Sequence, residues 1–170
     1  MPANFFHSTT GAIHLVAALA AMLLGAAVIL MTKGSLTHKR VGYAYVAAMI
    51  LVNGSAFMLY HLFGKFGPFH VAALVSGTAI AGGMLPVLFR RYISGWPYYH
   101  YYFMNWSVVG LYAAFWSETL TRLLPMKQFW PVVALATGLT AFIGRYFINR
   151  YKTKLLETIE NNPIIDNSIA

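Results

Sequence analysis

The chain has 170 residues, of which 59% are hydrophobic and only 9% charged, and its formal net charge is +8. A soluble domain carries about 25% charged residues, so a water-exposed globular surface is excluded for most of the chain, and the length allows one compact helical domain. Cysteine is absent, which rules out disulfides, thiolate metal centres and cysteine nucleophiles. The basic residues flank apolar runs instead of forming a nucleic-acid patch, so they read as orienting charges in contact with anionic lipid.

Residues 1–11 contain no Lys or Arg, so the positive region of a removed signal peptide is missing and the first apolar run is expected to remain as a span. Five segments are expected to cross the bilayer: residues 12–31, 41–63, 69–89, 100–124 and 129–149. Each is long enough for about 30 Å of hydrocarbon at about 1.5 Å per residue. Lipid offers no partners to the backbone, so the segments are helices, and their lack of period-2 alternation excludes a barrel. The expected fold is an all-α, polytopic bundle of about five transmembrane helices over residues 1–150, with a polar cytoplasmic tail at 151–170.

In the first span His14, Ala18, Ala21 and Gly25 fall on one face, and small side chains there allow close helix approach. Gly77 and Ala81 are expected to do the same in the third. Gly34 and Ser35 mark the first turn, the GKFGP run at 64–68 the second, and Gly95 and Pro97 the third. Pro125 ends the fourth span, and Pro131 sits in the first turn of the fifth, where its missing N–H matters little. Trp96, Tyr98, Tyr99, Tyr101, Tyr102 and Trp106 cluster where the fourth span begins. They read as an interfacial aromatic belt, with a stacking platform for bases or sugars as the alternative.

Alternation of the spans gathers Lys33, Lys39, Arg40, Arg90, Arg91, Arg145, Arg150, Lys152 and Lys154 on one side and Lys65, Arg122 and Lys127 on the other. The richer side is expected in the cytoplasm, with the N-terminus outside and the C-terminus inside a bacterial inner membrane.

Ionisable groups in spans are costly and point to function. His14, His61 and His70, with Glu118, are expected at a similar depth near the outer face, as a set that could ligate zinc, iron or copper or, through two imidazoles, a haem b. His38 and His100 lie toward the cytoplasmic face, where they could hold a second haem or the head of a quinone. His100 and Glu118 are 18 residues apart, five helical turns and about 27 Å. One face of the fourth span, with Ser107 and Leu111 near it, therefore links the two layers.

Structural alternatives stand beside each of these. A histidine at a helix end often caps it, Arg122 is an i,i+4 partner for Glu118, and His38 beside Lys39 and Arg40 suits lipid phosphate. A zinc hydrolase built on the outer set is chemically possible, but no nucleophile constellation, phosphate loop or dinucleotide fingerprint is present.

The stretch from His38 to Arg122 resembles a bacterial family of predicted membrane proteins, domain of unknown function 2306. The resemblance rests on His38-Lys39-Arg40-Val41-Gly42, on Gly67-Pro68-Phe69-His70, on His100 with Met104, and on Glu118 and Arg122. It implies a small multi-span inner-membrane protein with histidines at helix ends, and it implies no reaction; His14 and His61 lie outside the pattern. The expected function is membrane redox chemistry with a histidine-bound metal or haem, alone or as a subunit of a larger complex or self-assembly. The alternatives are a small proton-coupled transporter and a cofactor-free assembly subunit.

Overall fold

The computed structural model describes residues 9–60, 64–124 and 126–160, without the side chains of 126 and 154–160. Five helices carry the chain: α1 (Thr9–Leu30), α2 (Leu36–Ala56), α3 (Pro68–Leu88), α4 (Trp96–Leu123) and α5 (Phe129–Glu160), the last preceded by a 3-10 turn at Met126–Gln128. No strand occurs among the described residues. The chain is an all-α membrane protein, as its composition requires.

α1, α3 and Phe129–Thr153 of α5 are each long and apolar enough to cross a bilayer. α2 and α4, at 21 and 28 residues, have the length but carry more polar groups, including His38, Asn53 and Ser55 on one and His100, Asn105 and Glu118 on the other. Large apolar side chains such as Leu23, Leu135 and Phe142 are more than 70% exposed, which is sustainable only where the surroundings are lipid.

Several helix ends depart from the expected spans for identifiable reasons. α2 starts at Leu36, before residue 41, because Ser35 caps it: its hydroxyl accepts the His38 N–H at 3.1 Å. α2 also ends at Ala56, before residue 63. There the Ser55 hydroxyl donates to the carbonyls of Leu51 and Val52, and the N–H groups of Met58 and Leu59 make i→i−3 bonds that tighten and close the helix. α4 opens at Trp96, because Gly95 takes a left-handed φ of 72° and Pro97 sits in the first turn. α5 runs on through the expected tail to Glu160.

The chain divides into two compact units, Met1–Gly77 and Thr78–Ala170, with the boundary inside α3. In the first, α1 and α2 pack together, burying Ala17, Ala18, Ala21 and Gly25 on α1 and Tyr45, Ala48, Met49 and Val52 on α2. The expected small-residue face of α1 is thus the packed one. The turn between them is held by Lys33, whose ammonium donates to the carbonyls of Val28, Ile29 and Met31. A cation there also meets the negative end of the helix dipole.

In the second unit α4 and α5 pack antiparallel along three points. Near the start of α4, Tyr101 Oη donates to Ile148 O at 2.9 Å. Midway, Gly144 lies against Val109, and further along the Ser117 and Thr137 hydroxyls meet at 3.2 Å. Small residues and interhelical hydrogen bonds are the usual means of association in lipid. α3 meets α4 through Gly82 against Phe103 and Gly83 against Met104. The packing glycines of α3 are therefore these two; a Cβ at Gly77 would meet nothing within 4 Å, and Ala81 is exposed.

Candidate histidine sites

His14, His38, His70 and His100 lie close to helix ends, and for His14, His70 and His100 the partner of Nδ1 fixes which nitrogen carries the proton of the neutral ring. His14, near the start of α1, lies 2.9 Å from Ser55 Oγ on α2. That hydroxyl already gives its proton to Leu51 O at 2.6 Å, so it accepts from His14 Nδ1–H. A neutral His14 then carries its lone pair on Nε2.

His100, in the second turn of α4, shows the same polarity. Its Nδ1 is 2.9 Å from Gly83 O on α3, and a carbonyl can only accept. Pro86, inside α3, has no N–H to donate to Gly82 O one turn back, which loosens the helix beside Gly83. Gly83 also lets α4 come close, since a Cβ there would lie 2.6 Å from Met104 Sδ. Nδ1–H held by a protein oxygen is the arrangement by which proteins orient metal-ligating imidazoles.

His70 is the reverse. It occupies the third position of α3, and Gly67, just before the helix, donates its N–H to His70 Nδ1 at 3.1 Å. This is the side-chain half of a capping box, with imidazole in place of the usual carboxylate or amide. A backbone N–H can only donate, so Nδ1 accepts and a neutral His70 carries its proton on Nε2. Neither nitrogen then offers a lone pair to a metal, and ligation by His70 would require this cap to open. The side chain is 4% exposed and lies among Phe57, Tyr60 and Phe66, with ring centroids at 6.2, 4.7 and 5.0 Å. Among the described residues Nε2 has no hydrogen-bond partner, a condition worth about 1–3 kcal/mol against the fold if nothing meets it.

His38 lies in the first turn of α2, half-buried, with exposed Lys39 and Arg40 beside it. His61 lies outside the described residues. Glu118 pairs with Arg122 one turn on, their side chains 30% and 54% exposed respectively; this is the expected i,i+4 alternative, and it neutralises the carboxylate within its own helix. Ser107 and Leu111 are buried on α4, as their place between His100 and Glu118 suggests. Among the described residues no group of three His, Asp or Glu side chains stands together in a way that could hold one metal ion.

The aromatic cluster of α4 divides by role. Tyr98, Tyr102 and Trp106 form a ladder at four-residue spacing, with centroids 6.1 and 6.3 Å apart, and Lys152 of α5 sits 5.1 Å over the Tyr98 ring. Tyr101 turns away to bond α5. A belt of rings with one wet end, backed by a cation, fits an interface with lipid headgroups.

The model of the family described as Predicted membrane protein (DUF2306) matches residues 11–151. The chain belongs to this family. The match is wider than the stretch from His38 to Arg122 and takes in His14 and His61. No curated protein and no solved structure matches the chain.

Three contributors escape a reading of the sequence. Lys33 is legible only as a topological charge until its helix end is known, and Tyr101 looks like one more belt residue. The pairing of His14 with Ser55, 41 positions apart, needs the register of α1 against α2. Their signals existed singly: a polar residue inside an apolar run needs a partner.

Proposed function

We propose that this DUF2306 member is a multi-pass redox protein of the bacterial inner membrane, with its N-terminus outside and its C-terminus in the cytoplasm. It would bind haem or a transition-metal ion through its histidines, among them His14 toward the outer face and His100 toward the cytoplasmic face. The observation that carries the reading is the matched polarity of His14 and His100. Each imidazole donates Nδ1–H to a protein oxygen, which orients the ring and gives Nε2 the electron pair that iron, copper or zinc requires. Bound haem would supply one-electron chemistry at each face. His70 and Glu118 fall to lesser roles because each is engaged within its own segment.

A cofactor-free packing subunit is the second reading, favoured by the capping use of His70 and the Glu118–Arg122 pair. An absorbance spectrum of protein purified from haem-supplied cells, with elemental analysis of the same sample, separates the two. The redox reading expects a Soret band or stoichiometric metal that falls in His14→Ala and in His100→Ala, while His70→Gln keeps it. A sample with neither haem nor metal leaves the packing reading.

A further inference from the structure

We infer that the aromatic enclosure around His70 is a binding site for the ring of a membrane-soluble quinone. The site is built from Phe57 and Tyr60, which follow α2, from Phe66, just before α3, and from the first turn of α3. His70 is buried, and its tautomer is dictated by the Gly67 N–H, so the ring presents a fixed donor at Nε2. That donor has no hydrogen-bond partner among the described residues. A buried N–H of this kind calls for an acceptor oxygen. The imidazole is neutral in this state and its neighbours are aromatic, so an uncharged carbonyl suits it better than a phosphate or carboxylate, whose charge would be buried without a counter-charge.

The surroundings narrow the class further. Tyr60 and Phe66 approach the imidazole at small interplanar angles, 34° and 28°, and Phe57 approaches at 45°. Flat rings therefore already pack on this imidazole, and a planar conjugated ring that took the place of Tyr60 or Phe66 would meet the same surface. Tyr60 and Phe66 are 44% and 53% exposed, so either ring can swing aside to admit a ligand arriving through lipid without rebuilding α3. A planar ring, a carbonyl oxygen at its edge and partition into the bilayer together describe a quinone headgroup. Binding here does not depend on the haem or metal reading, and the same protein without any cofactor would retain it.

The test is the thermal midpoint of the full chain in lipid nanodiscs, with and without a short-chain benzoquinone and, separately, an alkylbenzene of equal size without carbonyls. The quinone should raise the midpoint of the wild type in a saturable way, as a ligand of the folded state must, and the alkylbenzene should not. His70→Phe keeps an aromatic ring but loses both the cap and the donor, so its baseline falls and its quinone-dependent rise vanishes. His70→Gln retains an acceptor for Gly67 N–H and an amide donor, and should keep the rise with affinity lowered about tenfold or less. Tyr60→Leu should weaken it. An equal rise with alkylbenzene, an unchanged rise in His70→Phe, or no rise in the wild type would each overturn the assignment. The haem reading stands or falls on its own spectrum.

Discussion

Close approach of α4 and α5 at Gly144 provides a sharp test of the packing. A Cβ built there would lie 2.7 Å from Val109 Cγ1 and 3.2 Å from Val109 Cβ, and would also collide with Cγ2. Valine is stiff about χ1 on a helix, and rotation cannot move its Cβ, so the clash is relieved only by separating the helices. Forced overpacking of this kind costs about 1–3 kcal/mol. Gly138, on the same helix, has no heavy atom within 4 Å of its ideal Cβ. Substituting alanine at either position brings the same gain in helix propensity, at most about 1 kcal/mol, and that gain cancels in the comparison. Gly144→Ala should therefore be less stable than Gly138→Ala by about 1–3 kcal/mol in reversible unfolding from detergent micelles. Adding Val109→Ala should restore most of the difference, because the two sites are coupled. If Gly144→Ala matched Gly138→Ala, or if Val109→Ala gave no rescue, the α4–α5 register would be refuted.

Ser55→Ala removes the acceptor for His14 Nδ1–H, and unfolding measurements should show a loss of about 1 kcal/mol that is absent when His14 is already alanine. Lys33→Met should lower stability by about 0.3–1 kcal/mol, with faster amide exchange confined to the last turn of α1. Replacing Lys39, Arg40, Arg90 and Arg91 together by Asn should scramble orientation in reporter fusions; an unchanged topology would contradict the charge argument.

How much of this was legible beforehand follows from range. Helix existence and membrane character are local properties of apolar runs, and they read directly from segments such as α1 and α5. The face of α1 with Ala18, Ala21 and Gly25 was also local, since spacing alone places small side chains on one side. Helix ends were read less well, because caps override hydropathy: Ser35 and Gly95 each start a helix several residues before its apolar core begins. The packing surface of α3 was misplaced at Gly77 and Ala81, because several small residues on one helix look alike until a partner such as Met104 selects Gly83. The histidines could be found as a set, but their chemistry could not. A donor from Gly67 and an acceptor at Gly83 make opposite uses of the same ring, and neither backbone group is visible in composition or spacing.

The proposed orientation rests on a chain that would cross the membrane an odd number of times. Because cysteine is absent from all 170 residues, single cysteines can be placed without background at exposed positions between the helices: Thr32, Lys65, Ser94 and Lys127. Labelling of intact spheroplasts with a membrane-impermeant maleimide should modify the variants at 65 and 127 at once, and those at 32 and 94 only after the membrane is permeabilised. Immediate labelling at 32 or 94, or protection at 65 or 127, would contradict the five-span account.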